Sequence, residues 1–248
     1  MLTLRSEQMQ ALRAVALDAY RAELLEHFRT FAPDLFKVAG EVNFREFIRL
    51  GTDKALRIGL NLRGPMRTFV ELMCLLGSDF DLDPQYRPLW PEGDPAAIPM
   101  PFAQRLHANF IRYRQACIGD HKALLIAALT DCRNVPLEPI GSLADWLEGT
   151  LRAIYPSKLD YMGQTNLRDL VAACETLSHQ AQIETPRGKA LICILSIAFG
   201  LNFQHNPLYP WVMRRLINDD PEPTRIDKTY VVLDRYASAA LDNLNEAR

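Results

Sequence analysis

The stretch GPMRTFVELMCLLG, residues 64–77, decides the fold. Pro65 favours a helix start, because the first N–H groups of a helix have no partner within it. Residues 66–76 are apolar on nearly every side, and Gly77 then occupies the usual position of a glycine after a helix end. The stretch therefore predicts a helix over residues 66–76 at the centre of a helical bundle.

Further helices are predicted on both sides of this stretch. Apolar residues recur every three or four positions from about residue 6 to residue 31, and Pro33 closes that helix. Asn43 with Glu46, and Ser142 with Asp145, have the form of a helix cap followed three residues later by a carboxylate. The same arguments predict helices over residues 43–57, 102–117, 121–132, 142–155, 166 onward, 185–199 and 227–245. No segment alternates convincingly as a strand does, so the sequence predicts an all-α fold.

The chain matches itself when it is shifted by 123 residues. Residues 20–86 and 143–209 then share 11 identities in 67 aligned positions without a gap, among them Gly77 with Gly200. This match predicts two copies of one helical module. Similar helices spaced alike by accident are the alternative, which explains the matched apolar residues but not the matched Gly, Phe, Pro and Tyr after the central helix.

The match predicts a division of the chain into four parts. Residues 1–90 are the first copy of the module, and residues 141–217 are the second. Residues 91–140 are a proline-rich loop and helical connector, and residues 218–248 are a C-terminal helix. The four parts can pack as a single globular unit, a helical bundle of two pseudo-repeated modules.

Composition and charge exclude several classes of protein. The chain has 248 residues, 48% of them hydrophobic, and 28 basic against 30 acidic residues leave a formal net charge of −2. Such a chain has no broad basic field for duplex nucleic acid. Its longest apolar run, residues 190–199, is too short to span a bilayer, which takes roughly 20 residues. We therefore expect neither a nucleic-acid partner nor a membrane partner.

The N-terminal residues and the cysteines indicate the compartment. Residues 1–8 have neither the basic start nor the apolar stretch of a secretory signal. The five cysteines are widely spaced, so they form no CxxC metal or redox pair, and buried free thiols are expected at Cys74, Cys117, Cys132, Cys174 and Cys193. The sequence predicts a cytoplasmic protein.

An acidic loop, GSDFDLDP, follows the central helix. Asp79, Asp81 and Asp83 have the one, three, five spacing of a calcium loop. However, the sixth position is Pro84, where a calcium loop needs glycine, and the twelfth is Trp90, where it needs glutamate. We favour acids that accept backbone N–H bonds in turns or pair with arginine. The second copy has amides at all three positions, which suits turns better than charge-dependent coordination.

The acidic loop also carries a family resemblance. A capped helix, then a helix that ends in Leu-Gly and is followed by Asp-Phe-Asp-x-Asp-Pro, resembles an uncharacterised bacterial helical family encoded beside type VI secretion effector genes. The likeness covers roughly residues 5–90, with a weaker echo over residues 143–213. The Pro-Trp of that family stands at Pro210-Trp211, whereas the first copy has Pro88 and Trp90 without it. The resemblance implies a genetic neighbourhood of toxins, spike proteins, adaptor chaperones and immunity proteins, rather than a reaction.

The sequence contains no recognisable catalytic pattern. The five histidines are scattered without metal spacing, and His205 alone lies inside the repeated loop. There is no nucleophile elbow, no phosphate-binding glycine loop and no cysteine in an exposed electropositive context. We therefore expect no metal, no cofactor and no enzymatic activity. An enzyme with its site in loops 78–91 and 201–211 is the alternative from another class.

Arginine and aromatic residues form the candidate binding surface. Arginines on predicted helices can form a basic strip with aromatic residues between them, and these residues are Arg105, Arg112, Arg114, Arg214, Arg215, Tyr113 and Trp211. A solvated helix face is the plainer interpretation, whereas arginine beside Tyr or Trp is typical of binding hot spots. We expect a partner in the groove between the two copies. The residues predicted to bind it are Asp79, Asp81, Asp83, Tyr86, Trp90, Arg112, Tyr113, His205, Trp211, Arg214 and Arg215.

These patterns predict a protein that works by binding another protein. The resemblance implies an adaptor or accessory chaperone for a type VI secretion effector, for its chaperone or for the spike. The alternative is a cytoplasmic immunity protein that binds and inhibits a cognate toxin. Strong acidity often accompanies the blocking of a basic nuclease, and a net charge of −2 does not favour that mode.

Overall fold

A computed structural model of the chain describes residues 6–132 and 138–246. This part is built from helices and contains no strand, which confirms the predicted all-α class. Its α-helices, in chain order, are α1 (Ser6–Phe31), α2 (Pro33–Ala39), α3 (Glu41–Arg57), α4 (Arg63–Leu76), α5 (Pro99–Tyr113), α6 (Ala123–Cys132), α7 (Leu143–Ile154), α8 (Pro156–Gln180), α9 (Pro186–Phe199), α10 (Pro210–Leu216) and α11 (Glu222–Glu246). Short 3₁₀ or π turns lie at Pro84–Leu89, Arg114–Ile118, Asp120–Lys122 and Phe203–His205.

Several predicted helix ends are confirmed. α1 has the predicted limits, and α4 ends directly before Gly77, whose φ is 110°. The Ser142 hydroxyl accepts a hydrogen bond from the Asp145 N–H (3.1 Å) at the start of α7. The Thr185 hydroxyl accepts one from the Gly188 N–H (3.1 Å) at the start of α9. These ends were predictable because each cap or stop acts within one helical turn.

The predictions that Asn43 and Asn166 cap helices are wrong. Both residues lie inside helices, and each side-chain amide donates to the carbonyl oxygen four residues earlier, at 2.7 and 2.8 Å. A single residue with positive φ, Gly40 or Gly163, separates each helical segment from the one before it. Because the preceding segment runs up to that glycine, no separate cap position remains.

Four other helix starts differ from the prediction, and one of them is that of α4, which begins at Arg63 rather than residue 66. α5 begins at Pro99 rather than residue 102, and α11 begins at Glu222 rather than residue 227. Pro101 and Pro223 lie in the first turns of these helices, where a missing N–H removes no helical hydrogen bond. α6 begins two residues later than predicted, because His121 has a positive φ of 49°.

The helices enclose two apolar cores. The first contains side chains of α1, α3, α4 and α5, with Phe28 and Phe69 fully buried. The second contains side chains of α7, α8, α9 and α11. Leu208, from the second half of the chain, lies in the first core, and Tyr155 and Tyr209 pack against both. Each core therefore includes a helix, α5 or α11, that the sequence division placed outside its module.

Several elements lie at the same distance along the chain. α4 and α9 each have 14 residues, and their starts at residues 63 and 186 are 123 apart. α5 and α11 begin at residues 99 and 222, which are also 123 apart. Three pairs of positive-φ residues have this spacing, namely Gly40 with Gly163, Gly59 with Gln182, and Gly77 with Gly200.

Most of the cysteines are buried. Cys74, Cys117, Cys174 and Cys193 are free and buried as predicted, whereas Cys132 is partly exposed. Within residues 6–132 and 138–246, no helix is both long and apolar enough to cross a membrane.

Candidate functional site

Two aspartates of the acidic loop pair with a lysine of α3. Lys54 Nζ donates to the carbonyl oxygen of Ser78 (2.8 Å) and forms ion pairs with Asp79 and with Asp81, whose Oδ1 lies 3.4 Å away. All three charged side chains are largely buried. Burial raises the pKa of Asp81, and the Lys54 ammonium opposes that effect. The expected arginine partner is therefore a lysine, held within the fold.

Asp83 links the two halves of the chain. Its side chain is buried, Oδ1 accepts from the Gln85 N–H (2.9 Å), and Oδ2 accepts from the Leu201 N–H (2.7 Å). Gln85 Nε2 donates to the same Oδ2 (3.0 Å) and to the carbonyl oxygen of Ser196 (2.8 Å). Burial raises the pKa of Asp83, although these hydrogen bonds and the charge of Lys158 act against it. Asp83 is therefore a structural link rather than a surface residue.

The three aspartates do not converge on one point. Asp79 and Asp81 bind Lys54, whereas Asp83 bonds across to the second half. In the part of the chain that the structure describes, no group of three or more His, Cys, Asp or Glu side chains is arranged to hold a metal ion.

A buried lysine lies close to Asp83. Lys158 of α8 is 1% exposed, and its Nζ lies 4.0 Å from the ring centroid of Tyr86 and 4.8 Å from that of Tyr113. It also donates to the Tyr113 hydroxyl (3.0 Å), and the two rings meet edge to face. Burial lowers the pKa of Lys158 to about 8, with Asp83 opposing the shift. Tyr86 and Tyr113, predicted to contact a partner, are buried and enclose this amine instead.

Sequence reasoning missed Lys158, although a signal was present. Tyr155 lies three residues before it and Met162 four residues after it, so Lys158 falls on an apolar helix face. A lysine on such a face means either that the face is not buried or that the lysine is a buried charge with partners. In the structure it is buried, and the aromatic rings are its partners.

The second loop, after α9, has amide side chains where the first loop has carboxylates. Asn202 has a left-handed φ of 61°, and Asn206 is buried with its Oδ1 accepting from the Leu208 N–H (3.0 Å). Among the described residues, the Asn206 amide nitrogen has no hydrogen-bond partner. His205 is exposed and borders an open cavity of about 170 Å³. The other residues that line the cavity include Leu177, Ile192, Phe203, Gln204, Leu216 and Ile217.

A buried arginine holds two walls of this cavity. Arg225 of α11 is 7% exposed, and its Nη1 donates to the carbonyl oxygens of Ala181 (3.1 Å) and Leu216 (2.6 Å). Its Nη2 donates to that of Gln182 (2.9 Å). These carbonyls lie at the ends of α8 and α10, where helical partners are lacking and a cation is favoured. Sequence reasoning missed Arg225 too, because single-helix periodicity does not separate it from exposed arginines.

The arginines of the predicted strip make local contacts. Arg105 donates to a loop carbonyl oxygen (3.2 Å), Arg112 to a side chain of its own helix (3.1 Å), and Arg214 to a carbonyl of α10 (3.3 Å). Arg114 and Arg215 are exposed. These residues are solvated on the surface, as the plainer interpretation expected.

The aromatic residues predicted to alternate with them pack inward. Tyr113 is buried, and Trp90 packs against Phe102 with a ring separation of 5.1 Å. Trp211 packs against Phe199 at 5.8 Å and is partly buried. The structure therefore separates the aromatic rings from the arginines instead of combining them in one exposed strip.

Comparisons with known proteins give no relative. No protein-family model matches the chain, and no curated protein and no solved structure matches it either. The interpretation of the site therefore depends on its own geometry.

Proposed function

We propose that the chain is a non-enzymatic, protein-binding protein built from two copies of one helical module, 123 residues apart. The observation that carries this proposal is that the carboxylates of the acidic loop bond to other parts of the same chain. Asp79 and Asp81 are paired with Lys54, and Asp83 accepts the Leu201 N–H. The polar groups that could have done chemistry in loop 78–91 thus stabilise the fold, which leaves the helical surface for a partner.

Equivalent hydrogen bonds support the two-copy proposal. Asn43 and Asn166 each donate to the carbonyl oxygen four residues earlier, at 2.7 and 2.8 Å. Asp83 and Asn206 each accept from the N–H two residues later, at 2.9 and 3.0 Å. Such local bonds depend on the residue type and the backbone shape together. Their recurrence at one spacing is not expected of unrelated helices.

The contact between the halves is reciprocal, which also supports the proposal. A Cβ atom built on Gly77 would lie 2.6 Å from the carbonyl oxygen of Phe199. A Cβ atom built on Gly200 would lie 2.7 Å from that of Leu76. A two-fold interface has this pattern, because the same surface is offered by both sides. A fused pair of modules would retain it.

α5 and α11 extend the proposed module. The rings of Tyr86 and Tyr113 are 5.7 Å apart at an angle of 83°, and those of Tyr209 and Tyr236 are 6.4 Å apart at 86°. The second pair lies 123 residues after the first. We therefore propose modules of about residues 20–118 and 143–241, joined by α6, which are longer than the sequence division gave.

The nature of the partner is proposed from the resemblance of the acidic loop. The chain acts in the cytoplasm as an adaptor or accessory chaperone, and it brings a type VI effector, or the chaperone of that effector, to the spike complex. An immunity protein would bind the effector with a similar body but would inhibit it. The two functions therefore differ in outcome rather than in the need for a binding surface.

Co-expression of the full chain with each neighbouring gene product tests this function. We expect affinity purification to retain an effector, a chaperone or a spike protein, and deletion of the chain to reduce effector delivery. Rescue of growth from the toxin without any effect on delivery would contradict the adaptor function. Substrate turnover that is lost in Asp79→Ala or His205→Ala would contradict both binding functions.

A further inference from the structure

The first core contains a row of four aromatic side chains. Phe69 lies 5.1 Å from Phe80, Phe80 lies 6.3 Å from Trp90, and Trp90 lies 5.1 Å from Phe102, between ring centroids. Phe69 belongs to α4 and Phe102 to α5, while the other two rings belong to the loop between these helices. The row therefore fills the space that α4, the acidic loop and α5 enclose.

The corresponding positions of the second half contain one ring only. The residues 123 positions later are Ile192, Phe203, Met213 and Arg225. The guanidinium of Arg225 is held by backbone carbonyl oxygens. Beside Phe203 lies the open cavity of about 170 Å³, and Ile192 forms part of its wall. The cavity thus occurs where the first half fills space with its own aromatic rings.

The cavity also lacks the charges of the first half. Lys54 pairs with Asp79 and Asp81 there, and the residues 123 positions later are Leu177, Asn202 and Gln204. Leu177 and Gln204 line the cavity. The charged side chains of Lys54, Asp79 and Asp81 in the first half therefore correspond to uncharged residues in the second half, two of which line the cavity.

Three exposed residues line the cavity, the polar Gln180 and His205 and the apolar Ile217. Ile217 lines it and is 52% exposed, and the buried Leu216 lies next to it. A large apolar side chain left in water beside a largely apolar cavity is typical of a site that a ligand or partner covers.

We propose that this cavity binds one aromatic side chain, Phe or Trp, of the partner protein, and that the ring packs on Phe203. The ring completes the row that the first half forms from its own residues. A cavity of about 150 Å³ lined by Leu, Ile and Phe is large enough for benzene, so about 170 Å³ admits a side-chain ring. Buried aromatic anchors are frequent hot spots of protein interfaces. This inference rests on the proposed function, whose partner-binding site it names.

N-acetyl-L-tryptophanamide is the probe that tests the inference. The full ¹⁵N-labelled chain is titrated with it, and with N-acetylglycinamide as the control ligand, while backbone amide shifts are recorded. We expect saturable shifts at residues 177–181, 192, 203–205 and 216–217 with the tryptophan probe only. Absence of saturable shifts, or shifts confined to other residues, would overturn the inference.

Two variants change the cavity in a defined way. Ile192→Phe introduces the residue of the first half, fills the cavity and is expected to weaken probe binding at least about tenfold. Leu177→Lys combined with Gln204→Asp recreates the ion pair and gives the same test if the first variant does not fold. Val42→Gln, at an 80% exposed apolar residue of α3, is the control and is expected to bind normally. Normal binding by a folded cavity variant would overturn the inference.

Failure of the cavity as a binding site and failure of the proposed function give different results. If co-expression yields a partner that Ile192→Phe retains as well as the wild type, the cavity is not its site, and the proposed function stands. If no neighbouring product is retained by the wild type, the proposed function fails, whatever the probe does.

Discussion

Gly77 and Gly200 pack backbone against backbone at the points where α4 and α9 end. A Cβ atom on either glycine would lie within 2.6 to 2.7 Å of a carbonyl oxygen of the opposite half. Both glycines also have positive φ, 110° and 84°. Glycine is therefore required at each position for two reasons, since a side chain would be strained by the local backbone and would collide with the other half.

Replacement of Gly200 by alanine tests this contact. Gly200→Ala is expected to lower the free energy of unfolding by about 3 kcal/mol or more, the sum of the cost of a positive φ with an extended ψ and of overpacking. Gly40→Ala is the matched control, because φ is 81° there and, chain neighbours apart, no atom of the described residues lies within 4 Å of the added Cβ. It should cost less, about 1–3 kcal/mol for the backbone alone. Equal losses in urea titrations of the two variants would show that the close approach is unimportant.

Asp83→Asn tests the link between the halves. Asparagine has one acceptor oxygen where the carboxylate has two, so the Gln85 N–H or the Leu201 N–H loses its partner in a buried place. We expect the free energy of unfolding to fall by about 1–3 kcal/mol. Asp34→Asn, on the exposed surface of α2, should change it by no more than about 0.5 kcal/mol. Chemical denaturation followed by circular dichroism distinguishes the two, and similar losses would argue against the link.

Lys158 gives a prediction about pH. Its folded pKa of about 8 lies below the ordinary value of 10.5, so the unfolded chain binds this proton more tightly than the folded chain does. The contribution of Lys158 to stability is therefore least favourable below pH 8 and improves as the pH rises from 8 to 10.5. Lys158→Met should be more stable than the wild type by up to about 3 kcal/mol at pH 7, less whatever the lost ring contacts contributed.

The measurement for Lys158 is the difference in unfolding free energy between variant and wild type at pH 7 and at pH 9.5. The advantage of methionine should shrink at the higher pH. Thiols and tyrosines that are buried in the fold also begin to lose protons near this pH once the chain unfolds, but they are present in both proteins and largely cancel in the difference. Lys37→Met, at an exposed lysine, is the control and should give a small difference at both pH values. A difference in unfolding free energy that does not change with pH would contradict a lowered pKa of Lys158.

Arg225→Met tests the hydrogen bonds that Arg225 donates to the carbonyl oxygens at the ends of α8 and α10. The variant leaves the carbonyl oxygens of Ala181, Gln182 and Leu216 without their donor, and we expect a loss of about 3 kcal/mol in unfolding free energy. Arg187→Met removes a surface ion pair to Asp227 and should cost about 1 kcal/mol or less. Thermal unfolding of both variants ranks them, and the reverse order would refute a structural function for Arg225.

Local sequence signals predicted much of the fold. Gly77, Ser142 and Thr185 mark helix ends because their effects are confined to one turn. The sequence places the start of α11 too late, because a proline such as Pro223 fits a loop as well as a first helical turn. It places a cap at Asn43, because the one-residue break at Gly40 leaves no wider signal. These errors concern boundaries, and they leave the helical class unchanged.

The site was harder to predict, because burial depends on contacts between distant segments. Nothing next to Asp83 in sequence indicates that its carboxylate reaches Leu201, and the same holds for Arg225 and the carbonyl of Ala181. Tyr86 and Tyr113 were expected on the surface, yet they enclose a lysine from the other half of the chain. Only tertiary packing distinguishes such residues from exposed ones of the same type.

Hydrogen–deuterium exchange tests the central claim, that this chain works by binding a protein, most directly. The full chain is measured alone and with the neighbouring gene product that co-purifies with it. The account predicts protection at residues 177–181, 203–205 and 216–217, with exchange in loop 78–91 unchanged because its polar groups are already paired. Failure of every neighbouring product to bind would contradict the central claim, whereas protection centred on loop 78–91 would contradict only the cavity as the binding site.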